Sequence, residues 1–181
     1  SRFSYGVKNI KDSLTVNGKD ISIQRAPLEE LIGLVKTETN DQKARFFWVL
    51  GGPGVGKSAF QKSVIERLEK EGFPTLAIKA DEILIESQTD IPKKLGFHEG
   101  FIIQKAIVEL VKSNLKPIIL IDQIDALSQD FTVNPQYLIS YKNFLNNIQS
   151  ISGLTVIISC RELELKSDPI LESLRSLGGR K

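Results

Sequence analysis

The sequence predicts an α/β fold in three layers, a parallel sheet with helices on both faces. Three observations carry that expectation. Short apolar runs alternate with amphipathic stretches along the 181 residues, which is the pattern of right-handed βαβ crossovers. The first apolar run ends in glycines that open directly into a helix. Two later runs end in polar side chains, which a parallel sheet collects at one edge.

At about one domain per 150 residues, the length suits one α/β unit with a sizeable core. Hydrophobic residues make up 41% and charged residues 25%, which excludes a disordered or fibrous chain. Against 22 acidic side chains stand 24 basic ones, a net charge of +2, so no broad nucleic-acid or membrane face is indicated. The single cysteine, Cys160, excludes an internal disulfide framework and favours a reducing, cytoplasmic setting. Neither a signal peptide nor an apolar run of about 20 residues is present, so membrane spanning is not expected. Methionine is absent even from position 1, and Gly178-Gly179-Arg180-Lys181 reads as a cut end. We therefore expect a piece of a longer protein.

Residues 1–22 form a polar, turn-rich leading arm with only weak alternation at Leu14-Thr15-Val16, and residues 23–181 form the core domain. A helix is predicted over 27–35, because Pro27 suits a first turn and Leu28, Leu31, Ile32 and Val35 fall at helical spacing. The run 46–50, Phe-Phe-Trp-Val-Leu, reads as a buried parallel strand. A helix follows from Lys57, with Phe60, Val64, Ile65 and Leu68 on one face and its end at Glu71-Gly72. Residues 74–79 read as the second strand, and 81–96 as a long connection broken at Ile91-Pro92. A helical stripe covers 102–111, the third strand 117–121, another amphipathic helix 137–148, the fourth strand 154–159 and a last helix 169–177.

Residues 51–58, Gly-Gly-Pro-Gly-Val-Gly-Lys-Ser, match G-x-x-x-x-G-K-[ST] without a mismatch. In that pattern glycines turn successive backbone N–H groups inward as an anion nest, and the helix adds its positive N-terminal end. Gly52, Pro53, Gly54, Val55, Gly56, Lys57, Ser58 and Ala59 are thus the predicted phosphate cradle. Lys57 is suited to the β- and γ-phosphates and the Ser58 hydroxyl to Mg²⁺. The plainer alternative is a glycine-rich turn with a solvated lysine.

The third strand ends in Asp122, beside that loop in a parallel sheet, which makes Asp122 the candidate partner of Mg²⁺. Asp125 either orients the attacking water or caps the next helix with Ser128. Gln123, between them, can orient water but is not a general base. The fourth strand runs into Ser159-Cys160-Arg161-Glu162 at the same edge. Ser159 is suited to hydrogen-bond the attacking water. Arg161 either responds to a γ-phosphate charge or pairs with Glu162 or Glu164. Cys160 falls on the other side of the strand as a small core residue. His98 reads as a solvated loop residue, and no Cys/His spacing suits zinc.

The run 121–127, Ile-Asp-Gln-Ile-Asp-Ala-Leu, together with Ile158-Ser159-Cys160-Arg161 and Asp168-Pro169, resembles bacterial STAND NTPases, the NACHT-like relatives of AAA+ ATPases. Upstream, residues 21–31 resemble that family's hydrophobic-Arg box, with Gln24 before Arg25 where glycine is usual. The resemblance implies a P-loop NTPase sheet in the order 5-1-4-3-2, with the fifth strand and the helical lid beyond Lys181. It implies ATP/ADP and Mg²⁺ as cofactors, Arg25 near the adenine, and Lys57, Asp122, Gln123, Asp125, Ser159 and Arg161 as the catalytic set. It further implies effector and sensor domains on the same chain, self-association and a role in signalling or defence. Two readings remain open at this point. One is an ATP-hydrolysing switch. The other is a nucleotide-gated interaction module with little turnover, which Gln123 in place of an acid favours. A loader acting on nucleic acid follows from fold analogy alone. The guanine-reading Asn/Thr-Lys-x-Asp pattern is absent, which leans towards ATP.

Overall fold

The computed structural model describes residues 13–16, 19–22, 26–37, 42–128 and 134–178. Four parallel strands form the central sheet: β3 (Arg45–Gly51), β4 (Thr75–Lys79), β5 (Ile118–Asp122) and β6 (Thr155–Arg161), in the spatial order β3-β6-β5-β4. Numbered from β3 as the first strand, this is 1-4-3-2, in agreement with the order expected from the sequence. The fourth strand lies inserted between the first and the third.

The two central strands are buried along almost their whole length, as continuous apolar runs must be when helices cover both faces. Alternation along each strand divides the core in two. Ile118, Leu120 and Ile157 face α1 (Ala26–Lys36) and α2 (Lys57–Lys70), where they meet Leu31, Ile32, Val35, Val64, Ile65 and Leu68. Ile119, Ile121, Val156, Ile158 and Cys160 face the opposite layer, which includes α3 (Asp90–Lys94), α4 (Ile103–Lys112) and α5 (Gln136–Ile148). Arg45 ties the base of β3 to the end of α1. Its guanidinium donates to the carbonyls of Leu34 (2.8 Å), Val35 (2.6 Å) and Thr37 (3.1 Å), meeting carbonyls that a helix end leaves without intrahelical partners.

Several segments differ from expectation. The leading arm holds a hairpin, β1 (Ser13–Val16) antiparallel to β2 (Lys19–Ser22). Ile91-Pro92 does not break the chain but lies in the first turn of α3, where a missing N–H costs nothing. β6 continues through Arg161, and α6 (Glu162–Ser167) follows at once. The last helix, α7, spans Pro169–Arg175 and gives way to a 3₁₀ turn, Ser176–Gly178. Asp168 caps α7 by accepting from the amides of Ile170 (2.7 Å) and Leu171 (3.2 Å). Among the described residues, no helix is long and apolar enough to cross a membrane.

Candidate functional site

Register decides which side chains meet at the C-terminal edge of the sheet. Gly51 pairs with Arg161, and the last β5–β6 pair is Ile121 with Ile158, so Asp122 follows beside Ser159. The glycine loop leaves β3 at this edge and turns into α2 through Gly56, the N-cap residue, at φ 83°. That left-handed conformation favours glycine. A Cβ on Gly51 would lie 2.8 Å from Val55 Cγ2, so the loop closes over a position that only glycine fills without displacement. Lys57 Nζ donates to the carbonyls of Gly51 (3.0 Å) and Gly52 (2.9 Å), which holds the cation against the loop.

Asp122 is fully buried. Its Oδ1 accepts from Ser159 Oγ at 2.5 Å, and Ser159 Oγ in turn accepts from the Gln123 amide at 2.9 Å. The hydroxyl of Ser159 therefore has its proton committed to Asp122. Asp122 Oδ2 has no hydrogen-bond partner among the described residues. A buried carboxylate oxygen left that way costs about 1–3 kcal/mol and calls for an explanation such as an ion or a water. Gln123 sits at φ 56°, ψ 43°, a left-handed conformation uncommon outside glycine. Its side chain donates to Ser58 Oγ at 3.2 Å. The two oxygens best placed for a hard cation, on Ser58 and Asp122, are thus linked through a single residue.

Sequence reasoning missed Gln61. It is fully buried on α2 among Phe60, Val64, Ile65 and Leu68. As placed, its Nε2 donates to the Ile121 carbonyl at 3.4 Å and its oxygen faces the Asp122 carboxylate; exchanging the amide oxygen and nitrogen satisfies both ends. Nitrogen then donates to Asp122 Oδ1 at 2.8 Å and oxygen accepts from the Ser159 amide at 3.1 Å. The available signal was a polar residue at a position of the apolar stripe.

Asp125 lies in a 3₁₀ helix, Ile124–Leu127, and is 3% exposed. It pairs with Arg161, Nε to Oδ2 at 3.3 Å, while Arg161 also meets Glu164 at 3.4 Å. Arg161 therefore pairs with Asp125 and Glu164. Burial pushes the Asp125 carboxyl above the usual aspartate range, against the pull of backbone amides and of Arg161. Ser128 does not share a cap with Asp125; its hydroxyl donates to Asp168 at 2.6 Å. Cys160 is buried, and desolvation pushes its thiol up to about 12, which leaves it an inert core residue. His98 is exposed. Arg25 and the rest of the run 23–25 lie outside the described residues.

Among the described residues, no three His, Cys, Asp or Glu side chains cluster as a metal cage. A magnesium ion needs no such cage, because it binds through one or two protein oxygens and substrate phosphates. A hydroxyl on Ser58 and an unpartnered carboxylate oxygen on Asp122 fit that donor set.

Residues 47–177 match the family described as ATPase family associated with various cellular activities (AAA). A Lon protease from Buchnera aphidicola is 29% identical over 101 residues, which is 56% of this chain and 12% of the protease. Among solved structures, the Aeropyrum pernix ORC2 protein in its ADPNP–ADP complexes superposes with a TM-score of 0.54 at 16% identity, over 94% of this chain and 49% of that one. Domain III of the Thermotoga maritima replication initiation protein DnaA gives 0.50 at 18% identity, over 84% and 58%. At such identities the two structures show a shared fold. The chain spans a small part of the protease and about half of each solved chain.

Proposed function

This chain belongs to the AAA family of ATPases, and from that premise we propose that it is an ATP-binding and hydrolysing switch of the STAND type, dependent on Mg²⁺, that couples nucleotide state to self-association. The observation that carries this reading is the fully buried Asp122, one oxygen held by Ser159 and the other without a hydrogen-bond partner among the described residues, beside the glycine loop that carries Lys57 and Ser58. The runs Asp122-Gln123-Ile124-Asp125 and Ser159-Cys160-Arg161 meet there through the Asp125–Arg161 pair, and the STAND part of the proposal rests on the resemblance those two runs carry.

In the proposed reaction the backbone N–H groups of Gly52 and of residues 54–58 bind the phosphates, and Lys57 leaves its carbonyl partners to meet the β- and γ-oxygens. Ser58 and Asp122 would hold Mg²⁺, which would supply charge neutralisation to the bound phosphates. Asp125 and Gln123 orient the water for in-line attack. A carboxyl pushed by burial above the usual aspartate range is the better suited of the two to take its proton. Arg161, released from Asp125, answers the γ-phosphate charge.

The second reading, a nucleotide-gated module with little turnover, is favoured by Gln123 standing where an acid would promote hydrolysis and by the pairing of Asp125 with Arg161. A loader acting on nucleic acid has the DnaA likeness behind it, but no basic run with interleaved aromatics. One experiment separates the first two. Phosphate release by the full-length protein is expected to require Mg²⁺ and to fall by about a hundredfold or more in Lys57→Ala, the scale of losing one charge-stabilising donor. Equal rates in both proteins contradict hydrolysis at this site. Assembly that differs between ADP and a non-hydrolysable ATP analogue, without turnover, favours the gated module.

A further inference from the structure

We propose that Gln61 is a positioning residue for this site, an uncharged clamp that fixes the Asp122 carboxylate and reserves one of its oxygens for the metal. The proposal rests on the nucleotide-binding reading above and names a part that reading did not assign. Gln61 follows Lys57 by four residues and Ser58 by three, so the helical repeat sets all three on neighbouring faces of α2. Every other buried position of that helix is apolar. An amide in that stripe costs free energy unless it is hydrogen-bonded, and packing alone would be served by leucine or methionine. Both ends of the amide are instead used. With the amide in the orientation that satisfies both ends, nitrogen donates to Asp122 Oδ1 at 2.8 Å, and oxygen accepts from the Ser159 amide at 3.1 Å.

The consequence is an asymmetric carboxylate. Oδ1 receives two hydrogen bonds, from Gln61 and from Ser159 Oγ, while Oδ2 receives none among the described residues. The carboxylate plane is thereby set by groups from α2 and β6, two elements that also flank the phosphate loop. The chemistry of the clamp matters as well. A lysine or arginine at position 61 would hold Asp122 but neutralise it. A neutral amide orients the carboxylate and leaves its full charge for a cation. Gln61 acts through Asp122.

The test uses the full-length protein and two variants. In Gln61→Met, which keeps the volume and removes the hydrogen bonds, ATP affinity measured in EDTA is expected to match wild type. The Mg²⁺ concentration for half-maximal turnover should rise about tenfold and kcat fall about tenfold, with KM for ATP unchanged, the usual scale for losing a partner behind a metal ligand. In Gln61→Glu, the introduced carboxyl can donate to Asp122 only when protonated, so turnover should rise as pH falls while wild type shows no such rise. Should Gln61→Met fail to fold, the pH profile of Gln61→Glu decides alone. A folded Gln61→Met with unchanged Mg²⁺ dependence, equal loss of ATP binding with and without Mg²⁺, or a Gln61→Glu profile superimposable on wild type overturns the assignment while leaving the nucleotide reading in place. A wild-type protein that binds no ATP overturns both.

Discussion

Asp122 and Asp125 lie three residues apart at one sheet edge, yet their surroundings differ in kind. Asp122 is held by neutral donors, a hydroxyl and an amide. Asp125 is held by a guanidinium and is still pushed upward, because burial outweighs the attraction of Arg161. The stability consequence has a definite sign. With its folded pKa above the ordinary aspartate value, Asp125 binds more protons in the folded state than in the unfolded one. Its contribution is therefore present at low pH and lost as pH rises through the raised pKa. Asp125→Asn should remove that dependence. Melting temperature followed against pH is expected to show wild type losing ground to the variant as pH rises through the window just above the normal aspartate range. Parallel curves would mean that Asp125 titrates at its ordinary value. At this scale the sequence made Lys57, Ser58 and Asp122 legible, because a fixed spacing and a strand end mark them. It did not make the role of Ser159 legible, since a strand-end hydroxyl looks the same whether it faces water or a carboxylate. Gln61 was concealed for a similar reason, as nothing but its place on an apolar stripe distinguishes it from a surface glutamine.

The strand–loop–helix unit of β3 and α2 depends on one backbone conformation. Gly56 at φ 83° turns the chain so that its own carbonyl accepts from the Phe60 amide at 2.9 Å and the helix begins. Alanine at that position forces an L-residue into the left-handed region, at a cost of about 1–2 kcal/mol. We expect Gly56→Ala to lower the denaturant midpoint accordingly and to weaken nucleotide binding by more than that figure implies, because the same turn aims the loop amides. Unchanged binding with lowered stability would separate the turn from the cradle. Elements whose sequence carries one dominant signal were legible: β5 and β6 as β-branched apolar runs, α5 as a periodic stripe. The helix α6 was not, because Glu162-Leu163-Glu164-Leu165 alternates with period two and Asp168-Pro169 follows within a turn or two. Pro92 reads as a breaker by itself, and only its place in the first turn of α3 makes it compatible with a helix.

Across the whole molecule, the sheet order is what gathers the site. Inserting β6 between β3 and β5 places Ser159 and Arg161 between the phosphate loop and Asp122. With the adjacent order reversed, those side chains would stand at an edge remote from the phosphates. Alternating strands and helices establish that the sheet is parallel, but many orders satisfy right-handed crossovers. The order was legible only through the resemblance carried by the residues after β5 and β6. The two core layers then clamp the central strands from both sides, so Asp122 and Ser159 are held by rigid neighbours and not by loops. The claim on which the account rests is that this edge binds a nucleoside triphosphate together with Mg²⁺, and titration calorimetry of the full-length protein with ATP tests it most directly. We expect saturable heat with one ATP per chain, tighter binding with Mg²⁺ than in EDTA, and loss of that Mg²⁺ gain in Asp122→Asn. The absence of any heat with adenine or guanine triphosphates, with or without Mg²⁺, would contradict it.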